Sequence, residues 1–136
     1  MAQRRVAIVG SKSLDGYEAV YQIIDGVVSK EIETGGPFTL LNGGEDGVDL
    51  MAAEIALSRG LAYDLEPLGE CRYGCEKRFC FEHSYRPRSE RIARKADRVY
   101  RIYDESCGTS TCEVTAKFAE EFGKDVLRKP IDLLMI

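Results

Sequence analysis

The chain has no tryptophan, a single histidine and no long hydrophobic run. A membrane-spanning helix needs ~20 consecutive apolar residues, and no apolar run here approaches that length. The first residues, Met1 to Arg5, lead into only five apolar or small residues before Ser11, so we expect no signal peptide. These absences predict a cytoplasmic protein with no membrane partner.

Disulfide pairing and a positive net charge are also missing. The five cysteines are an odd number, which fits a reducing compartment better than a disulfide framework. The net charge of −4 argues against general nucleic-acid binding. Residues 71–98 are an exception, with nine Lys or Arg against four Asp or Glu. This basic segment either faces an anionic ligand or forms a solvated helix face.

A length of 136 residues matches one domain. Short apolar runs alternate with stretches of helical periodicity, which predicts a parallel sheet with helices on both faces. We therefore predict an α/β fold, a Rossmann-like three-layer sandwich with a mainly parallel sheet of about five strands. It occupies residues 1–136 as one domain, with a cysteine-rich loop at 69–85. The predicted strands are Val6–Val9, Phe38–Leu41, Leu61–Leu68, Arg98–Tyr103 and one that begins at Val126.

Residues typical of helix starts precede the predicted helices. They are Asp15 with Glu18, Asp46, Pro87, and Ser110 with Glu113, the last pair forming a capping box. After the fifth strand, the apolar tail from Ile131 to Ile136 either adds an edge strand or packs against a second copy of the chain.

Three glycine turns follow predicted strands: Gly10-Ser11-Lys12, the run from Gly43 to Asp49, and Gly108-Thr109-Ser110. Glycine lets the backbone approach a ligand closely, and a helix start offers unpaired N–H groups to an anion. The carboxyl ends of parallel strands meet at one edge of the sheet, so the turns can share one crevice. A nucleotide-like small molecule is the predicted ligand, with no organic cofactor. The glycine–lysine motif of P-loop nucleotidases is missing.

Each predicted ligand-binding residue has a chemical role. Backbone N–H groups and Thr109 would hold a phosphate, Lys12 and Arg88 would neutralise it, and Asp49 would orient its turn or accept a ribose hydroxyl. The full set is Gly10, Ser11, Lys12, Gly43, Gly44, Gly47, Asp49, Arg88, Gly108, Thr109 and Ser110.

Taken in order, these motifs resemble the SLOG superfamily. That Rossmann-like group includes the LOG phosphoribohydrolases, the DNA-processing protein A fold and small phage and bacterial proteins. Its members show Gly-Ser-Arg where this chain has Gly10-Ser11-Lys12. They show Gly-Gly-Ala-x-Gly-x-Asp at the positions that are 43–49 here, and a Gly-Thr turn that matches Gly108-Thr109. The resemblance implies a nucleotide-binding Rossmannoid domain that serves as a sensor or processing module. Lys12 replaces an arginine, and Ser89 replaces an asparagine after Arg88.

Two other functions stay open. A phosphoribohydrolase-like enzyme would cleave the N-glycosidic bond of a nucleoside monophosphate, with Glu113 as the acid or base. The complete phosphoribohydrolase signature is absent, and Glu113 lies one residue farther from Gly108 than its catalytic glutamate would. The remaining alternative is a structural or interaction protein whose crevice is vestigial.

Cys71, Cys75, Cys80 and the only histidine, His83, form a separate cluster in the cysteine-rich loop. Three thiolates and one imidazole complete a tetrahedral structural zinc site, which has no open position for water. An iron–sulfur cluster and a surface loop with free thiols are the alternatives. Cys107, at a helix start, is either a reactive thiol or a small packing residue.

Overall fold

The computed structural model describes residues 3–106 and 110–136. Five strands form one sheet in which every neighbouring pair is parallel, in the order β3-β2-β1-β4-β5. The strands are β1 (Arg5–Gly10), β2 (Thr39–Asn42), β3 (Ala62–Leu65), β4 (Arg98–Asp104) and β5 (Asp125–Ile131). The predicted α/β fold is confirmed, including its parallel sheet.

Four helices cover the two faces of this sheet. They are α1 (Glu18–Gly35), α2 (Val48–Ser58), α3 (Arg86–Lys95) and α4 (Thr111–Glu121). Residues alternate along β1 between two cores: Val6 and Ile8 pack with α1 and α2, whereas Ala7 and Val9 pack with α3 and α4. The molecule is therefore a three-layer sandwich. No described helix is long and apolar enough to cross a membrane.

Several predicted element boundaries are wrong. Helix α1 begins at Glu18 with Tyr17 at its N-cap, so Asp15 caps nothing there. Helix α2 begins at Val48 after Gly47, two residues later than expected from Asp46. Strand β3 ends at Leu65 rather than Leu68: Glu66 still donates its N–H to the Asn42 carbonyl oxygen at 2.9 Å, but Pro67 follows and has no N–H to donate.

The apolar tail also differs from the prediction. It forms no separate edge strand: Ile131 is the last residue of β5, and a 3-10 turn follows at Leu133–Met135. Leu134 in this turn is 94% exposed. Packing of the tail against a second copy of the chain stays a prediction.

A buried ionic cluster lies at the amino ends of the central strands. The carboxylate of Glu31, on α1, accepts hydrogen bonds from Arg4 and Arg98, each at 2.7 Å, and from the Tyr100 hydroxyl at 2.5 Å. Burial alone would raise the pKa of Glu31, but these hydrogen bonds lower it overall. The cluster joins α1 to β1 and β4, at the end of the sheet opposite the glycine turns.

Strand order reverses between β1 and β4, because β2 and β3 lie on one side of β1 while β4 lies on the other. A crevice opens at such a switch point, beyond the carboxyl ends of the strands. Gly10 marks this place: a Cβ atom there would lie 1.9 Å from the carbonyl oxygen of Ile102 and 2.7 Å from Cβ of Val48. Only glycine therefore allows β1, β4 and α2 to approach so closely.

Candidate functional site

The turn between β2 and α2 is organised by the buried carboxylate of Asp49. Its Oδ1 accepts a hydrogen bond from the N–H of Gly10 at 3.2 Å, and its Oδ2 accepts from Gly43 at 3.2 Å and Glu45 at 3.4 Å. Asp49 thus ties the end of β1 to the glycine turn. Gly44 and Gly47 have φ values of +67° and +91°, which favour glycine.

Burial also sets the protonation of Asp49. Desolvation raises the pKa of Asp49 to about 7, although the three backbone N–H groups act to lower it. A carboxyl group of this kind changes its charge near neutral pH, at the edge of the candidate crevice.

Asn42 completes the turn from the last position of β2. Its Nδ2 donates to the carbonyl oxygens of Ile8 at 3.0 Å and Asp49 at 2.9 Å. Its Oδ1 accepts from the N–H of Gly44 at 3.0 Å and from the Tyr63 hydroxyl at 2.6 Å. The side chain is fully buried and links β1, β2 and β3 to the turn.

The turn after β1 is tied to the end of β4. The buried Ser11 hydroxyl accepts a hydrogen bond from the backbone N–H of Asp104 at 3.0 Å. The adjacent Lys12 is 68% exposed, with its Nζ 3.9 Å from the Glu45 carboxylate. Ser11 therefore has a clear structural contact, whereas Lys12 remains accessible to an anion.

A cleft lies between these turns and the helices α3 and α4. Its lining residues are Val9, Gly10, Gly43, Glu45, Asp49, Arg88, Ser89, Ile92, Thr111, Cys112 and Thr115. The open volume is about 20 Å³, which is room for about one water molecule. The space between these described residues is therefore too small for a phosphate unless a side chain moves.

Arg88 is the dominant charge of the cleft. It projects from the first turn of α3 and is only 5% exposed. Its Nη1 donates to the carbonyl oxygen of Gly43 at 3.2 Å, its Nη2 is bonded to the Glu45 carboxylate, and its guanidinium lies 5.4 Å from the ring centre of Tyr85. The Nε atom is buried and has no hydrogen-bond partner among the described residues. An unsatisfied buried donor of this kind is rare and costly.

The start of α4 supplies the opposite wall of the cleft. Ser110 holds the N-cap position, but its side chain makes no capping bond. Its Oγ instead lies 2.9 Å from Sγ of Cys112, which also accepts a hydrogen bond from Nε of Arg101 at 3.1 Å. Cys107, Gly108 and Thr109 lie outside the described residues.

Glu113 does not form the predicted capping box with Ser110. Its carboxylate is 2.5 Å from Nη1 of Arg101 and 3.0 Å from Nη2 of Arg128. Burial acts to raise the pKa of Glu113, but the hydrogen bond from Arg128 and the charge of Arg101 lower it overall. Glu113 is not among the described residues that line the cleft. Its catalytic role stays a prediction, and its contacts favour a structural one.

The cysteine cluster comes together in space. One ligand atom from each of Cys71, Cys75, Cys80 and His83 lies within 4.8 Å of all the others. Nδ1 of His83 is 3.6, 3.5 and 3.3 Å from the sulfurs of Cys71, Cys75 and Cys80, respectively. A hydrogen bond from the Tyr73 backbone lowers the pKa of the Cys71 thiol to about 6. This cluster could hold a metal ion.

The predicted site residues that the structure describes fall into four groups. Gly10, Gly43, Asp49 and Arg88 line one cleft, and Ser11, Lys12, Gly44 and Gly47 lie in the turns around it. Ser110 and Glu113 lie at the start of α4 and are not among the described residues that line the cleft. The cysteine cluster is a separate centre in the loop between β3 and α3. Sequence reasoning missed Asn42, Glu45, Arg101 and Cys112. The signal for Asn42 was a polar residue at the end of a buried strand, directly before two glycines.

Similarity to solved structures decides the fold type. DNA processing protein A from Streptococcus pneumoniae superposes with a TM-score of 0.71 over 97% of this chain, at 22% sequence identity. The structural-genomics target TM1055 superposes with a TM-score of 0.64 over 90% of the chain, at 19% identity. This chain has the same fold as these two proteins. It spans 52% of the DNA processing protein A chain and 72% of TM1055.

No protein-family model and no curated protein matches the sequence. The likeness is therefore one of three-dimensional structure, at sequence identities of 22% and 19%. It concerns architecture, and one fold supports many unrelated chemistries.

Proposed function

We propose that this SLOG domain binds a nucleotide or a nucleotide-derived ligand in the cleft at the carboxyl end of its sheet. The observation that carries the proposal is Arg88, a buried guanidinium at the cleft whose Nε has no partner among the described residues. A phosphate oxygen supplies the acceptor that this donor lacks. The starts of α2 and α4 border the same cleft, so their N–H groups and dipoles add to the attraction.

Asp49 and the glycine turn give this site its shape. Asp49 holds Gly10, Gly43 and Glu45 through their N–H groups, so it acts as a positioning residue in this proposal. Lys12, on the exposed side, would neutralise further charge on the ligand. Ser110, at the N-cap of α4, and the turn residues Gly108 and Thr109, which lie outside the described residues, stay predicted phosphate ligands.

A thermal-shift screen tests the proposal with nucleoside mono-, di- and triphosphates, cyclic dinucleotides and ADP-ribose derivatives. A ligand at 100 times its dissociation constant adds about 2.7 kcal/mol to the free energy of unfolding. We expect Arg88→Ala to abolish the shift. Arg94→Ala is the matched control, because Arg94 is on the same helix but is 64% exposed and pairs with Glu90. The absence of any shift in the wild-type protein would leave a structural or interaction role.

The same screen separates binding from hydrolysis. Free base released from a nucleoside monophosphate, and lost in Glu113→Gln, would establish the phosphoribohydrolase-like alternative. Binding without release of base supports a sensor or processing module.

We also propose that the cysteine cluster binds one structural zinc ion. Ligands 2.3 Å (sulfur) and about 2.05 Å (nitrogen) from a tetrahedral zinc ion lie about 3.5 Å from each other. The three distances from Nδ1 of His83, 3.3–3.6 Å, agree with this value. One N–H group can donate to one sulfur, so a single hydrogen bond does not account for three such similar distances.

Elemental analysis of protein purified without a metal-binding tag tests the zinc proposal. We expect one zinc per chain in the wild-type protein and in the control Cys112→Ser, whose sulfur lies outside the cluster. Cys75→Ser and His83→Ala should lose the metal. Iron in place of zinc would favour a cluster, and a metal content near zero would leave these residues as ordinary thiols.

A further inference from the structure

Glu45 lines the cleft and brings a carboxylate to it. It lies in the glycine turn that leads into α2. Its carboxylate is bonded to Nη2 of Arg88 and lies 3.9 Å from Nζ of Lys12. These are the two cations that the proposed function assigns to the phosphate of the ligand.

A carboxylate and a phosphate make the same kind of contact with a guanidinium group. With Glu45 in place, the open volume of the cleft is about 20 Å³, too small for a phosphate. Glu45 is 22% exposed, so its side chain has a path to solvent, whereas Arg88 is held at 5% exposure. The movable member of the pair is therefore the glutamate.

We propose that Glu45 is a built-in competitor for the anion site, and that an anionic ligand binds by displacing its carboxylate from Arg88. This proposal rests on the proposed function for the identity of the ligand, but not for the exchange itself. Arg88 keeps an anionic partner before and after the exchange, so the buried charge is never left uncompensated. Affinity in the wild-type protein is reduced by the fraction of molecules in which Glu45 fills the site.

Removal of the competitor should then strengthen anion binding. If Glu45 fills the site in nine molecules of ten, its loss tightens binding by about tenfold. It should also leave Arg88 unpaired, so Glu45→Gln should melt at a lower temperature in buffer without phosphate. Added pyrophosphate should restore the melting temperature of Glu45→Gln far more than it raises that of the wild-type protein.

The experiment titrates inorganic pyrophosphate and AMP into the wild-type protein, Glu45→Gln and Asp46→Asn, by calorimetry and by thermal melting. Asp46→Asn is the matched control, because it removes one negative charge from an exposed neighbour in the same turn. We expect the tighter binding in Glu45→Gln only, and we expect Arg88→Ala to cancel it in the double variant. If Glu45→Gln does not fold, Glu45→Asp takes its place, since the shorter side chain withdraws the carboxylate from Arg88.

The outcomes separate the two proposals. The proposal that Glu45 competes for the anion site is overturned if pyrophosphate binds the wild-type protein and Glu45→Gln equally, or binds neither. An equal gain in Asp46→Asn also overturns it, because the effect would then be general electrostatics. Nucleotide binding without a gain in Glu45→Gln would leave the proposed function standing alone. A gain for pyrophosphate with no binding of any nucleotide would support the competitor and contradict the proposed function.

Discussion

The stability of this fold should depend on pH through Asp49, and Asp49→Asn should remove that dependence. Asp49 is buried under the glycine turn, and its burial raises its pKa to about 7 from an ordinary value of 3.8. The asparagine keeps the shape of the side chain but carries no charge at any pH. Comparison of the two proteins therefore isolates the titration of one carboxyl group.

The sign and size of the effect follow from the two pKa values. Below about pH 4 both the folded and the unfolded chain hold the proton, so the group has no pH effect. Between that pH and about pH 7 the folded protein keeps a proton that the unfolded chain has released, so the free energy of unfolding falls as pH rises. The full loss is about 4 kcal/mol, and about 2.5 kcal/mol of it falls between about pH 5 and 7.5.

Urea unfolding of both proteins at half-unit intervals from about pH 5 to 8 measures the difference. The wild-type protein should lose stability relative to Asp49→Asn as pH rises, by the amount given above. Asp46→Asn, with an exposed carboxyl group removed from the same turn, should follow the wild-type profile. A constant difference between wild type and Asp49→Asn would refute the reasoning, because it would mean that the three N–H donors keep Asp49 ionised despite burial.

Four further substitutions have definite expected outcomes. Gly10→Ala should destabilise the fold by about 3 kcal/mol or more, because its Cβ would overlap a carbonyl oxygen of β4. Gly26→Ala on α1, where a Cβ meets nothing within 4 Å, should stabilise the fold by about 0.5–1 kcal/mol. Urea unfolding of the two variants measures both changes. Glu31→Gln should lower the free energy of unfolding by about 3 kcal/mol, because it leaves Arg4 and Arg98 without their shared anionic partner. Since the pKa of Glu31 is lowered in the fold, the stabilisation by this carboxylate should disappear as the wild-type protein is acidified. Cys80→Ser should release the metal and speed amide exchange in residues 69–85, with little change in the melting temperature of the sheet, as measured by hydrogen exchange and calorimetry.

The sheet and its layers could be predicted because their signals are local. Apolar runs mark the strands, and helical periodicity marks α1 to α4, so the alternation alone implies parallel strands. The predicted capping box of α4 does not form, because both of its side chains have other partners. The Ser110 hydroxyl contacts Cys112, and the Glu113 carboxylate pairs with Arg101 and Arg128. For Glu113, partners on β4 and β5 outweighed the local pattern, and a sequence pattern does not show such distant partners.

The glycine turns of the site could be predicted from the sequence, but the ion pairs between its charged side chains could not. The glycine turns and Asp49 stand out in the sequence, and the structure gathers Gly10, Gly43, Asp49 and Arg88 around one cleft. Nothing local indicated that Glu45 would pair with a residue 43 positions away. The same holds for Arg101, a charged residue that is buried within a strand otherwise typical of a core. Ion pairs between distant elements decide which charges remain available to a ligand.

The cysteine cluster and the cleft are connected through the first turns of one helical segment. Cys80 starts a π-helical turn at Phe81–Tyr85: its carbonyl oxygen accepts from the N–H groups of Ser84 and Tyr85, and its sulfur accepts from the N–H of His83. That turn leads directly into α3, where the ring of Tyr85 lies beside the guanidinium of Arg88. Residues 66–80 contribute nothing to the two cores and contain no helix or strand, while ordering a backbone costs about 1–2 kcal/mol per residue. A metal ion that orders this loop would also fix the start of α3, so the proposed zinc site would set the position of Arg88 without touching the ligand.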